Sequence, residues 1–184
     1  MLAAALTAAA CDPQDGGTDA GAMNGPRDGA TEQRPDAPAG TGACNDLPWP
    51  PLLRPTVDTA ARPASAVETG GGLQDGDYLM TRATLYSVPP PLTGALGASM
   101  LGAHLRVRAG VMESVLLTDD GEGNGPVEER NREAIKVQGN ELQLTPICPP
   151  GDGPEEGLFT TDGRTLRLAQ VSNGVEMVLE LVRR

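Results

Sequence analysis

Short runs of alternating apolar and polar residues, separated by Gly, Pro, Asn and Asp, fill the sequence from residue 70 to its end. A period of two places successive side chains on opposite faces of a strand, so each run can bury one face and expose the other. The clearest example is 175–183, in which apolar residues occupy every second position. Repetition of such runs at short spacing is typical of an all-β sandwich or barrel.

The runs predict eight strands in the folded region, residues 70–184. They cover residues 77–86, 101–109, 111–119, 127–137, 141–146, 158–161, 164–171 and 175–183. The dipeptides between several of them suit tight hairpins, namely Ala109-Gly110, Gly139-Asn140, Asp162-Gly163 and Asn173-Gly174. Sequential hairpins predict an antiparallel up-and-down meander that forms a small barrel or half-barrel, with an open sandwich as the alternative. No amphipathic helix is predicted.

The first eleven residues predict an export signal. Residues 1–10 are apolar or small apart from Thr7, and Cys11 follows them directly. A membrane-spanning helix needs about 20 apolar residues, so this segment suits the apolar part of a signal peptide instead. The run 6–11 resembles a bacterial lipoprotein signal, in which the cysteine is lipidated and becomes the mature N-terminus. No basic residue precedes the run, so the start codon is expected upstream; an Ala-rich segment with an incidental thiol is the alternative.

Residues 12–43 are predicted to be disordered. They contain no Leu, Ile, Val, Phe, Tyr or Trp, and they carry six acidic residues against two arginines. A segment of such low hydrophobicity cannot offset the entropy that ordering it would cost. We therefore expect an acidic linker, rich in Gly, Pro, Ala and Asp, that tethers the folded region to its anchor.

The cysteines predict one disulfide. If Cys11 carries lipid, Cys44 and Cys148 remain as an even pair in an exported protein, where pairing is the usual outcome. A metal or redox site is less well supported, because the sequence contains no C-x-x-C and a single histidine, His104.

Residues 44–69 form a proline-rich segment. Prolines at this density exclude helix, discourage strand and favour an extended path. We expect the segment to act as a clasp, with Trp49, Leu52 and Leu53 lying on the barrel. The alternative is a bait for a proline-recognition partner.

A glycine- and aspartate-rich run at 72–78 leads into the first predicted strand, and a cysteine follows the fifth. This organisation resembles the lipocalin-like domains of short exported lipoproteins in myxobacteria and similar bacteria. The resemblance extends over residues 70–184, although the G-x-W motif of true lipocalins is absent. It implies a lipocalin-like barrel and, as one possible role, a carrier of a small hydrophobic ligand or lipid.

The acidic loop after the third predicted strand has the most specific local pattern. Its oxygen-bearing residues are Asp119, Asp120, Glu122 and Asn124. Oxygen ligands at alternate positions of a glycine-rich loop predict a calcium site, although the glutamate that usually ends such a loop is missing. An acidic turn without metal is the alternative.

No catalytic residue is predicted. The strand period places His104 on a face that we expect to be solvated, and it makes the charged residues 128–133 a solvated edge. Asp75 and Asp77 are assigned to a turn rather than to an acid–base pair. The G-x-S-x-G and H-E-x-x-H motifs and phosphate-binding loops are absent, so a hydrolase that uses carboxylates is the least supported function.

The net charge of the chain limits which kinds of partner it can bind. With 25 acidic and 14 basic residues, the net charge is −11, so nucleic acid is not expected to bind. Together, these patterns predict a non-enzymatic, monomeric lipoprotein outside the cytoplasm, periplasmic or at the outer membrane, anchored in the membrane through Cys11. Its partner would be an envelope protein or a small hydrophobic ligand, and no cofactor is expected.

Overall fold

The structure, a computed structural model, describes residues 44–63, 71–151 and 153–184. In this part of the chain one sheet contains nine strands in chain order. They are β1 (Thr56–Val57), β2 (Gly76–Tyr86), β3 (Met100–Arg108), β4 (Val111–Asp119), β5 (Val127–Gln138), β6 (Glu141–Cys148), β7 (Glu155–Thr161), β8 (Thr165–Ser172) and β9 (Val175–Arg183). The predicted signal, Cys11 and the predicted linker lie outside the described residues.

Strands β2 to β9 form a closed barrel. Each pairs with the next in antiparallel orientation, and β9 also pairs with β2 from Tyr78 to Tyr86. The predicted antiparallel up-and-down barrel is therefore confirmed in its closed form, and the open sandwich is wrong. All eight predicted runs coincide with strands, with the largest difference at β7, which begins at Glu155 instead of residue 158.

The predicted hairpins also form. At the β3–β4 and β8–β9 turns both central residues have positive φ: 49° at Ala109, 76° at Gly110, 51° at Asn173 and 78° at Gly174. Two consecutive left-handed residues give a turn whose twist matches that of the strands it joins.

The connection between β2 and β3 contains a 3₁₀ turn (Pro90–Leu92) and the helix α1 (Thr93–Ala98). This helix was not predicted, because six residues are too few to establish a helical period. No helix among the described residues is long and apolar enough to cross a bilayer.

Aliphatic side chains and two aromatic rings form the buried core of the barrel. Tyr78, Phe159, Leu166 and Leu181 are fully buried there. The Tyr78 hydroxyl donates a hydrogen bond of 2.7 Å to the backbone oxygen of Gln74, so its polar atom has a partner despite burial.

The described part of the proline-rich segment, residues 44–63 and hereafter the clasp, fills an opening in the barrel wall. Strand β3 pairs with β2 only over Gly76–Leu79, and further along β2 the strand β1 takes its place in parallel orientation. Leu53 exchanges two backbone hydrogen bonds with Leu101 of β3, at 2.7 and 2.8 Å. The sequence predicted only an extended path for this segment, whereas the clasp forms a short strand. It can do so because its non-proline residues keep backbone N–H groups, which donate hydrogen bonds to carbonyl oxygens of the separated strands.

A disulfide and buried polar contacts hold the start of the clasp. Cys44 is bonded to Cys148 at the end of β6, which confirms the predicted pair. The Asn45 amide nitrogen donates to the backbone oxygens of Ser114 and Asn131, both at 2.9 Å. Because these oxygens belong to neighbouring strands, a single side chain fixes the clasp across β4 and β5.

The clasp changes the environment of the outer wall. Leu47 is buried at 1% exposure, whereas Trp49 remains 50% exposed, so Leu47 is the main apolar anchor. The prediction that His104 is solvated is wrong: its ring is buried beneath the clasp, with Nδ1 at 3.1 Å from the backbone oxygen of Pro48. The strand period placed His104 on the outer face but could not reveal that another segment covers that face.

Candidate functional site

A cavity of about 430 Å³ lies at the end of the barrel where β4 ends and β5 begins. Its walls are mainly apolar and come from several strands and from α1. They include Met80, Leu85, Leu96, Leu116, Met177 and Leu179. The strands supply these residues because alternate positions face the barrel axis, and α1 places Leu96 across the opening.

The acidic loop predicted to bind calcium borders the mouth of this cavity. Asp119, Asp120, Glu122 and Asn124 all line it. Asp119 accepts a hydrogen bond from the Gly121 amide and Asp120 one from the Glu122 amide, each at 2.8 Å. In the described ranges, no three or more His, Cys, Asp and Glu side chains are grouped so that they could hold a metal ion. The loop shapes the mouth, and calcium binding stays a prediction.

A polar strip extends into the barrel along β5. Glu129 lines the cavity, and Asn131 and Glu133 line a second, smaller cavity of about 50 Å³. The Asn131 amide nitrogen donates to a Glu129 carboxylate oxygen at 3.0 Å. The same three apolar residues, Leu116, Met177 and Leu179, line both cavities, so the two spaces adjoin.

Glu133 is the most deeply buried carboxylate of the strip, at 6% exposure. Within the described chain, no hydrogen bond or ion pair to its carboxylate is present. Burial raises the pKa of Glu133 above the usual value of a glutamate. An ionised Glu133 is therefore costly in the protein as it stands.

The prediction that residues 128–133 form a solvated edge is wrong for the inward half of β5. Asn131 and Glu133 are buried because β5 is paired on both sides, with β4 and β6, and alternate positions face the barrel interior. On the outward half, Glu128 and Arg130 form an ion pair, and Arg130 is partly buried because it also donates hydrogen bonds to Asn45 and to the backbone oxygen of Leu47 in the clasp. The alternation along β5 could have indicated this burial, because Ile135, two residues after Glu133, packs against the hydrophobic core.

The charged side chains that line these two cavities are all acidic. No Lys, Arg or His is among the described residues that line the two cavities. The acidic residues there are Asp119, Asp120, Glu122, Glu129, Glu133, Glu155 and Glu156. Arginines lie instead on the outer wall, as in the pair of Arg167 with Glu180 at 3.0 Å. These two cavities are thus lined by apolar and acidic side chains, whereas a third cavity of about 330 Å³, which shares Leu142 and Gln170 with the smaller one, is also lined by Arg62 and Lys136.

The other candidate acid–base residues lie away from the cavities. Both Asp75 carboxylate oxygens are 3.2 Å from the Ala109 amide nitrogen, and Asp77 accepts a hydrogen bond of 2.8 Å from Arg106. Asp75 ties the approach to β2 to the β3–β4 turn, and Asp77 pairs with a cation. The position of Asp75 agrees with its assignment to a turn, whereas Asp77 lies within β2, opposite Arg106 of β3.

We expect Glu133→Gln to stabilise the barrel at mildly alkaline pH, by about 1–3 kcal/mol. Because the pKa of Glu133 is higher in the folded than in the unfolded state, the folded state binds the proton more tightly. Stability therefore falls as pH rises from the unfolded pKa through the folded one. The amide cannot ionise, so the variant lacks this loss. Urea unfolding of the full chain across this pH range measures the difference.

Glu180→Gln is the matched control for this experiment. Glu180 is a glutamate on the outer wall, paired with Arg167, and its loss should lower stability by no more than about 1 kcal/mol. A Glu133→Gln variant that is less stable than the parent at alkaline pH, and no better than Glu180→Gln, would contradict the assignment of Glu133 as a costly buried carboxylate.

No protein-family model matches the chain, and no curated protein gives a significant match.

Proposed function

We propose that this chain is an exported, membrane-anchored lipoprotein whose barrel binds a small, mainly apolar ligand. The observation that carries the proposal is the cavity of about 430 Å³ at one end of the barrel. Sites for small molecules occupy about 300–1,000 Å³ and combine apolar walls with a few polar groups. A barrel whose interior was packed throughout would instead favour a structural role in the envelope.

Two further features support parts of this proposal. The Cys44–Cys148 disulfide is compatible with an oxidising compartment outside the cytoplasm. The apolar segment that ends at Cys11 supports a lipid anchor. The role is binding without a chemical step, as for the lipocalin-like domains that the sequence resembles.

Blocking the mouth of the cavity should abolish most ligand binding. Ala95 of α1 is exposed and lines the cavity, so Ala95→Trp can fill the mouth without overpacking the core. We expect the full chain to enhance the fluorescence of N-phenylnaphthylamine, a neutral apolar dye, in a saturable manner. Ala95→Trp should weaken the affinity for the dye by about tenfold or more, because the indole ring takes up space that the dye needs. Losing contact with even one buried methylene group costs nearly 1 kcal/mol of binding free energy.

Ile147→Trp is the control for the dye experiment. Ile147 of β6 is 46% exposed and lines neither of the two cavities, so this variant adds the same indole ring away from them. It should bind the dye like the parent. If the parent gives no saturable signal, or if both tryptophan variants bind equally well, the carrier proposal fails and an envelope-structural or protein-binding role is favoured.

A further inference from the structure

The charge distribution around the cavities restricts what the ligand can be. Acidic side chains occur at the mouth, along β5 and at the start of β7, and no basic side chain from the described residues faces either space. In a confined apolar space, like charges repel more strongly than in water because the effective dielectric constant is lower. An anionic ligand such as a fatty acid would have to overcome this repulsion with no cation among the described residues that line these two cavities.

Among the acidic residues that line the two cavities, Glu133 has the most specific environment. Glu133 is 6% exposed, it lines the smaller cavity, and no described cation pairs with it. A buried carboxylate without a partner is unfavourable unless it is neutralised or paired. A ligand cation at this position would supply the missing partner and replace part of the hydration that the carboxylate lost on folding.

The remaining contacts of the smaller cavity suit a hydrogen-bond donor as well. Gln170 of β8 also lines this space, and its side-chain oxygen is buried with no hydrogen-bond partner among the described residues. An ammonium group has three N–H donors and no acceptor. It could therefore satisfy a carboxylate and an amide oxygen together, whereas a carboxylate ligand could satisfy neither.

We propose that the ligand is a cationic amphiphile of the alkylamine type, with its apolar chain in the larger cavity and its ammonium group beside Glu133. Leu116, Met177 and Leu179 line both cavities, so a chain that lies against them can extend from one into the other. This inference rests on the proposed function, because it names the class of ligand for the same cavity.

Three probes of equal chain length test the inference on the full chain. Dodecylamine, dodecanol and dodecanoate differ in the charge of the head group, and each is added at neutral pH below its micellar range to displace N-phenylnaphthylamine. We expect dodecylamine to bind about tenfold more tightly than dodecanol, and dodecanoate to bind most weakly. Glu133→Gln should remove the preference for the amine, whereas Glu180→Gln, which changes the net charge equally, should keep it.

The outcomes separate this inference from the proposed function. If none of the probes displaces the dye and the dye itself does not bind, both fail. If dodecanol or dodecanoate binds as tightly as dodecylamine, the cavity is a carrier site but the inferred positive charge of the ligand is wrong. A preference for the amine that persists in Glu133→Gln would likewise overturn the assigned position of the ammonium group. Because the three probes are compared on the parent chain, this part of the test does not depend on the folding of any variant.

Discussion

Replacement of both Cys44 and Cys148 by serine is expected to lower the free energy of unfolding of the full chain by about 4–5 kcal/mol. The disulfide joins residues 104 positions apart, and a crosslink of that span strongly restricts the unfolded chain. Domains of this size are commonly stable by about 5–15 kcal/mol, so the loss is a large share of the total. Equilibrium unfolding in urea, under conditions that keep the parent oxidised, measures the effect.

Cys11→Ser is the control for the disulfide experiment. Cys11 lies outside the described residues and leaves the bridge intact, so this variant should unfold within about 0.5 kcal/mol of the parent. Equal stabilities of the double-serine variant and the parent would contradict the prediction. They would mean that the hydrogen bonds of Asn45 hold the clasp without covalent help.

Replacement of Cys11 by alanine is expected to abolish lipidation. The chain is expressed in a Gram-negative host with a basic segment added upstream, so that the apolar run can act as a complete signal. Intact mass should show acyl chains on the parent and none on Cys11→Ala, because the thiol is the acceptor of the lipid. In a detergent partition, the parent should enter the detergent phase and the variant the aqueous phase.

A parent chain that is cleaved without gaining lipid, or that is not cleaved, would overturn the lipoprotein proposal. That outcome would leave the carrier proposal standing, because dye binding concerns the barrel alone. Cys44→Ser provides the control, since it should keep the mass of the acyl chains while losing the disulfide.

The barrel could be predicted because its signals are local. In β9 the apolar residues repeat with a period of two, and the Asn173-Gly174 pair before it supplies the positive φ angles of a tight turn. Each strand pairs with its neighbour in the chain, so no long-range pairing had to be inferred except the closure of β9 onto β2. The disulfide followed from the number of cysteines and the expected compartment.

The clasp and the interior carboxylates could not be predicted in the same way. Whether His104 is buried depends on the clasp, which reaches β3 from a distant part of the sequence. Glu133 belongs to a run of charged residues, which usually indicates solvated surface. Its burial follows from barrel closure, and its neighbour Glu155 belongs to another strand. Local pattern could therefore identify the strand but not the chemistry on its inner face.

The position of the disulfide also determines how the barrel would respond to a pulling force. Tension applied to the chain ahead of Cys44 passes through the covalent bridge to Cys148 and enters the barrel wall at β6. The backbone hydrogen bonds of Leu53 and Asp58, which join the clasp to β3 and β2, lie beyond that bridge and outside the direct line of force. A barrel pulled by its N-terminal segment would thus keep the clasp seated and its wall closed, and mechanical load would not be converted into opening of the cavity.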